Sequence, residues 1–454
     1  MSRIFLLSTN TMTDPYAVYP LGLSIVAAAL ISAGHRVKQF DFLTEGQSFN
    51  RLDEALQRFG PDFVGVSLRN IDNVDSFTSE ESWALHKDRE IIRRIKGTVG
   101  VPVIVGGSAF SIMPEEILSY VGADYGIVGD GGFLFCDWIG RFEQGHPLPK
   151  IFQENRSLDT GDTHISPCWD QTIIRHYAET SRMVGMRTKR GCPHHCAYCT
   201  YPSLEGNRYR LRRPEEVVED VIRLKKDYGV ETVFFTDSVF NDPGEHYLAI
   251  AEELIRRETG LPWSAFFQPG RTGERELQLL KRSGLYAVES GTDASSEATL
   301  EGLNKSFHFD EVVEFNNICL GQEIPCVHYV MFGGPGESDR TVREGLENIK
   351  GLTNCVVLGF SGVRIFPGTL LERRAVEEGV IGAQDSLLKP VFYFSPAVDV
   401  QKMNEAISEA FKHQRQRVFP PSAGRQKLEI LNRFGFRGPL WDKLVSFKKG
   451  RKNR

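Results

Sequence analysis

The chain has 454 residues, a formal net charge of −5, 41% hydrophobic and 25% charged residues. These fractions are ordinary for a globular protein. So small a charge exerts no general pull toward nucleic acid or an anionic membrane, and neither is expected as a partner. The longest apolar stretch, Leu21 to Ala33, is interrupted by Gly22 and Ser24 and is too short to span a bilayer, so no transmembrane segment is expected.

In chain order, short apolar runs at Ile4–Leu7, Val37–Phe42, Phe63–Ser67, Val103–Val105 and Tyr125–Val128 read as strands. Helical patterns at Leu23–Ser32, Asp53–Phe59, Ser79–Ile95, Pro114–Tyr120 and Phe133–Phe142 separate them. Strands alternating with helices imply βαβ units and a parallel, doubly wound α/β sheet over residues 1–145. Residues 146–183, with their prolines, Gly161 and Trp169, read as a linker.

A second alternating series follows over 184–390. Strands are expected at Met183–Thr188, Thr232–Thr236, Ser264–Gln268, Ala287–Ser290, Cys326–Phe332 and Leu358–Ile365. Helices are expected at Pro214–Tyr228, Glu245–Arg257, Arg275–Ser283, Asp310–Leu320 and Asp339–Gly351. Six such units suit a partial (β/α)6 barrel, whose chemistry sits in loops at the carboxyl ends of the strands. Residues 391–454 form a less regular C-terminal region that ends in the basic run 448–454, read as a solvated tail.

Eight cysteines occur, and three stand together in Arg190-Gly191-Cys192-Pro193-His194-His195-Cys196-Ala197-Tyr198-Cys199. The scattered ones, Cys136, Cys168, Cys319, Cys326 and Cys355, read as buried thiols of a protein in a reducing cytoplasm. Local cysteine runs of this kind hold iron–sulfur clusters. Three thiolates leave a four-iron cubane one ligand short, and an iron without a protein ligand is a place for chemistry. A structural zinc is the competing reading, with a fourth ligand from His194, His195 or Cys168.

The run resembles the cluster motif of the radical S-adenosylmethionine (SAM) superfamily, with Tyr198 in its aromatic position. The resemblance extends over 184–390. It implies that Asp237, in Thr236-Asp237-Ser238, accepts from the methionyl amino group of SAM; otherwise it caps a turn. It implies that Glu289, in Val288-Glu289-Ser290-Gly291, binds the ribose hydroxyls. Gly334 and Gly336, in Gly333-Gly334-Pro335-Gly336-Glu337, would let backbone approach the adenine. Leu300, Leu303, Asn304 and Lys305 complete a segment typical of the group. The SAM carboxylate falls to Gln268 or Arg271. Alternate residues of a barrel strand point inward, so Cys326, His328 and Val330 share a face expected to line the active site; a core histidine is the other reading of His328. Arg364 would hold a substrate carboxylate or phosphate, or else pair with a neighbouring acid.

Residues 1–145 resemble the cobalamin-binding domain that precedes such barrels in a large subgroup. Tyr19-Pro20-Leu21-Gly22 looks like the start of its first helix. Ser67, Gly106 and Gly107 would open a slot for the dimethylbenzimidazole tail, and Gly129 and Gly132 close the fifth strand's loop. The loop Ser8–Tyr16 has no histidine, so the lower face of cobalt lacks an imidazole, and Arg69 would sit near that face or in a domain-interface ion pair.

The resemblance implies three cofactors: a [4Fe–4S] cluster held by Cys192, Cys196 and Cys199, SAM, and cobalamin. It implies methylation of an unactivated carbon through a 5′-deoxyadenosyl radical and methylcobalamin. An electron donor such as flavodoxin or ferredoxin and a substrate of unread identity would be the partners. Ring contraction, cyclisation or rearrangement without methyl transfer is one alternative; a non-enzymatic metal-binding regulatory protein is another.

Overall fold

The computed structural model describes residues 1–13, 16–153, 165–436, 438, 440–445 and 447; the basic run 448–454 lies outside them. The first sheet holds β1 (Arg3–Ser8), β2 (Arg36–Asp41), β3 (Phe63–Ser67), β4 (Val103–Gly106), β5 (Tyr125–Ile127) and β6 (Ile151–Phe152), all parallel, in the order β2-β1-β3-β4-β5-β6. Apolar strands such as Ile4–Leu7 are buried on both faces because helices cover the sheet on both sides. The order reverses between β1 and β3, which opens a crevice at their carboxyl ends. β6 extends this sheet beyond residue 145, because Ile151 and Phe152 pair with Gly126 and Ile127.

The expected helix at Ser79–Ile95 starts later, at Leu85, and runs to Thr98. Asp75 and Asn73 accept from nearby backbone N–H groups and hold the preceding stretch in turns instead.

The second sheet is an open barrel of seven parallel strands. β7 (Met183–Met186) leads to a small antiparallel pair, β8 (Lys189–Arg190) and β9 (Arg210–Leu211). β10 (Thr232–Phe235), β11 (Trp263–Phe267), β12 (Leu285–Asp293), β13 (Cys326–Phe332) and β14 (Val356–Ser361) follow. The expected sixth strand breaks at Gly362, where φ is +77° and an added Cβ would meet the Phe394 ring at 2.6 Å. β15 (Val363–Arg364) turns away there and pairs antiparallel with β16 (Phe392–Tyr393). β17 (Arg417–Val418), from the C-terminal region, closes the order β7-β10-β11-β12-β13-β14-β17.

Strand alternation divides the barrel. Cys326, His328, Val330 and Phe332 of β13 face the covering helices. Val327, Tyr329 and Met331 face inward. At the amino-terminal ends of the strands, Ala287, Val327 and Val356 are fully buried against Trp441 and Val445, so the C-terminal segment forms a floor. Above it Phe266, Tyr329, Met331 and Phe360 are only half-buried and leave an upper chamber. No helix among the described residues is long and apolar enough to cross a membrane.

Candidate active site

The three cysteines lie in the loop that leaves β8. Gly191 begins it with φ +88°, and an added Cβ would stand 1.9 Å from the Arg208 carbonyl oxygen, so only glycine fits. Cys192 N–H donates to Gly206 O at 3.0 Å, Ala197 N–H to Leu303 O at 2.9 Å, Ser238 Oγ–H to Gly191 O at 2.9 Å, and Asn304 Nδ2 to His195 O at 2.6 Å. Three separate segments, at Gly206, Ser238 and Leu303–Asn304, therefore fix one short loop.

Burial pushes the Cys192 thiol up and the Cys199 thiol up to about 12, with the neighbouring thiols adding to both. Such groups stay protonated unless a metal's positive charge holds them as thiolates. Among the described residues no three His, Cys, Asp or Glu side chains close on a single-ion position. Cys168 is turned to the first sheet, its N–H on Ser24 O. Three thiols in one short loop suit a cubane held at three corners, and Cys168, packed against the first sheet, is not the fourth ligand a structural zinc would take from it.

Three buried polar atoms, His194 Nε2, Tyr209 OH and Gln268 Oε1, have no hydrogen-bond partner among the described residues. Tyr209 lies within electrostatic reach of Cys192 and Arg271, and His194 of Arg271 and Lys305. Burial and these cations hold the His194 imidazole neutral, at about 4. Buried orphans of this sort mark room for a polar ligand, and they fit the methionyl end of SAM. Gln268 Nε2 is already on Ser306 Oγ at 2.9 Å, while Arg271 is exposed.

Other expected SAM contacts are corrected. Asp237 Oδ1 accepts from Thr188 N at 2.8 Å and Lys189 N at 3.2 Å, and Oδ2 from the Thr188 hydroxyl; Lys189 Nζ lies 3.4 Å away. Its carboxylate braces the start of the cysteine loop and has no vacancy for an ammonium. Lys189, 1% exposed, also pairs with Asp242 at 3.0 Å, a buried triad that the sequence reading missed.

Glu289 stands mid-strand inside the barrel. Its oxygens accept from Tyr329 OH at 2.5 Å and Trp441 Nε1 at 3.1 Å, and burial raises the carboxyl to about 7. Tyr329 and Trp441 hold the buried carboxyl toward the barrel floor, at the opposite end of the strands from the cysteine loop, so it is a chamber residue and not the expected ribose contact. Gly336, at φ +85°, places its missing Cβ 2.4 Å from Ala298 O, and Gly334 packs on Thr299 and Val363. The close approach these glycines allow is to protein.

Tyr198 OH donates to Asp293 Oδ2 at 2.6 Å, on the carboxyl end of β12, and Asp293 also pairs with Lys305.

His328 and Arg364 leave the site. His328 bonds Thr292 Oγ1 at 2.8 Å and Asn316 Oδ1 at 3.2 Å under the helix Phe309–Gly321, and burial pushes it down to about 3. The shared face of Cys326, His328 and Val330 was read from the alternation correctly, but it turns outward, because β13 places its larger inner residues against the C-terminal floor. Arg364 Nε pairs with Asp72 Oδ2 at 2.9 Å, and its guanidinium caps Ile365 O and Leu387 O. It pins the barrel to the first sheet and touches no substrate space.

In the first domain Ser67 and Gly106 are register partners at the carboxyl ends of β3 and β4, both half-exposed, and Gly129, at φ +97°, is exposed beyond β5. This uncovered edge fits a flat tail lying along the sheet. Gly107 serves the backbone instead: its Cβ would lie 2.5 Å from Leu68 O. A Cβ added at Gly132 would lie 3.4 Å from Ala29 Cβ, where the helix Gly131–Glu143 meets Leu21–Ser32. Pro20 caps that second helix, and Gly22 is exposed with nothing near it.

The two domains meet over the cysteine loop. The helix Ser108–Ile112 after β4 packs on Tyr201–Glu205, just past Cys199. Arg69 is half-buried within electrostatic reach of Tyr16, Tyr177 and Tyr201, and Tyr16 in turn reaches Glu289 and Tyr329. Arg190 pairs with Asp130 across the same junction. Tyr16, Tyr329 and Trp441 were missed from sequence. The inward alternation next to His328 was a signal for Tyr329; nothing local marks the other two.

Two family models match: the radical SAM superfamily over residues 186–349 and the B12-binding domain over residues 8–136. The chain is 22% identical to tryptophan 2-C-methyltransferase of Streptomyces laurentii, over 83% of this chain and 74% of that protein. It is 24% identical to cytidylyl-2-hydroxyethylphosphonate methyltransferase of Streptomyces wedmorensis, over 83% and 82%. Its fold matches the structure of the radical SAM methyltransferase TsrM from Kitasatospora setae with cobalamin and [4Fe–4S] cluster bound, at TM-score 0.86 and 22% identity, covering 98% of this chain and 97% of that one. A radical SAM domain binds a [4Fe–4S] cluster and SAM, and a B12-binding domain binds cobalamin; the cysteine loop, the orphaned polar atoms and the bare sheet edge fit those three groups. The chain thus belongs to the radical SAM superfamily, as an enzyme with a B12-binding domain ahead of its radical SAM barrel.

Proposed function

We propose that this enzyme transfers a methyl group to a carbon of a substrate held in the upper chamber of the barrel. The observation that supports this most is the junction itself: the helix that follows β4 of the B12-binding sheet packs on Tyr201–Glu205, just past Cys199, and Arg69 stands there within electrostatic reach of Tyr16 and Tyr201. When bound, the cofactors supply radical and methyl-transfer chemistry. The chain's own residues do the rest. Cys192, Cys196 and Cys199 would hold the cluster, and His194, Tyr209 and Gln268 would offer polar partners to SAM. Arg69 would place a cation beside the sheet edge, next to bound cobalamin. Phe266, Tyr329, Met331 and Phe360 wall the chamber and exclude water, while Tyr329 and Trp441 orient Glu289 at its base.

The two Streptomyces relatives are both methyltransferases, which supports the same reading. A low-potential reductant such as flavodoxin or ferredoxin is the expected electron donor, and a reducing cytoplasm is the setting such a cluster requires. The test is anaerobic incubation of the reconstituted protein with SAM, cobalamin, reductant and candidate metabolites. S-adenosylhomocysteine with a methylated product is expected. 5′-deoxyadenosine without S-adenosylhomocysteine would turn the reading to rearrangement; zinc without iron, and intact SAM, would remove the enzyme reading.

A further inference from the structure

A buried cation touches the cysteine loop. Lys305 Nζ lies 3.4 Å from Cys196 Sγ, and its side chain is only 9% exposed. The same ammonium pairs with Asp293, 11% exposed, whose Oδ2 also accepts from Tyr198 OH at 2.6 Å. Tyr198 is itself in the loop, two residues past Cys196. A closed circuit results: Cys196, Lys305, Asp293, Tyr198 and back. Two backbone contacts fix its geometry. Leu303 O, two residues before Lys305, accepts from Ala197 N at 2.9 Å, and Asn304 at φ +57° bonds His195 O. These anchors hold the Lys305 backbone beside the loop, and burial with the Asp293 pair holds its ammonium there.

We propose that Lys305 sets the reduction potential of the cluster, donating a charge-assisted hydrogen bond to the Cys196 sulfur while Asp293 and Tyr198 hold it in register. Hydrogen bonds to cluster sulfurs and local net charge are established levers on such potentials. The reduced cluster carries one more negative charge than the oxidised one, so a fixed cation beside a ligand sulfur stabilises the reduced form more. Burial strengthens the effect, because little water screens it. Asp293 opposes it in part. The circuit thus combines a cation that raises the potential with an anion that restrains it. Lys305 is a positioning residue; the inference rests on a cluster at Cys192, Cys196 and Cys199.

The experiment is an EPR-monitored redox titration of the full-length, anaerobically reconstituted protein without SAM, with iron and sulfide content measured in parallel. For Lys305→Met the reduction equilibrium should fall about tenfold or more, a shift of about 59 mV to lower potential for one electron. For Asp293→Asn it should move the opposite way. Lys305→Arg, which keeps charge and donor, should stay near wild type. An unchanged potential in Lys305→Met with full iron content overturns the proposal, as does a shift of the same sign in Lys305→Met and Asp293→Asn. Weakened SAM binding at constant potential also overturns it, making Lys305 a SAM ligand. If Lys305→Met does not assemble a cluster, Asp293→Asn decides alone: a rise supports the proposal, and no rise, or failure to assemble, overturns it. Absence of iron in the wild-type protein is a separate result, which removes the cluster itself.

Discussion

Arg364 of the barrel and Asp72 of the B12-binding domain form an ion pair of 2.9 Å, with side chains 2% and 0% exposed. Around it, Ser76 Oγ donates to Ser361 O at 2.6 Å and Trp83 Nε1 to Leu388 O at 2.9 Å. The junction that carries the chemistry is thus held from one side by a buried charge pair. Removing one partner strands the other in a dry site, which costs about 3–5 kcal/mol. Arg364→Met should lower the unfolding free energy by that order in denaturant titration, and Asp72→Asn with Arg364→Met should recover part of it. Equal losses in the single and double variants would show that the pair is not coupled.

Each of Cys192→Ala, Cys196→Ala and Cys199→Ala removes one corner ligand. Iron content and the broad visible absorbance of the reconstituted protein should fall to near background in each. Cys319→Ala should keep the iron, because that thiol is buried under the helix layer away from the loop.

His328 is a neutral core histidine with both ring nitrogens engaged. Loss of its bonds leaves Thr292 and Asn316 short of partners, at a cost of about 1–3 kcal/mol. His328→Gln should therefore lower stability while leaving SAM cleavage within a few-fold. A loss of turnover with unchanged stability would return it to the site.

Trp441 fills the barrel floor and donates to Glu289. Trp441→Ala should cost about 3–5 kcal/mol through the cavity left. Cluster content should survive, because the floor and the cysteine loop lie at opposite ends of the strands.

Glu289 and Glu337 are both raised by burial from the model-compound value of 4.5 to about 7. A folded-state value above the unfolded one means that the folded protein binds the extra proton. The stability from each group is fully present below 4.5 and is lost as pH rises through about 7. Between those values each group lowers stability by about 1.4 kcal/mol per pH unit. Denaturation midpoints should fall over this window, and Glu289→Gln should flatten the fall. An unchanged slope in that variant would place the titration elsewhere.

The repeating pattern of short apolar strands and amphipathic helices is local, and it carried both sheets: Pro214–Tyr228, Cys326–Phe332 and Asp339–Gly351 lie where periodicity puts them. The cysteine loop was equally legible, because its ligands are seven residues apart at most and Gly191 is fixed by its own backbone. Side-chain direction was not legible. Alternation tells which residues of β13 share a face, and only the packing of Trp441 and Val445 inside the barrel decides that Tyr329 points in and His328 out. The same holds for charge. Asp237, Glu289, Arg364 and Lys305 are ordinary polar residues in a linear reading; each finds its partner 12 to 292 positions away. A buried charge takes the nearest compensating group that three-dimensional packing supplies, so its role is settled by the fold and not by its neighbours in the chain.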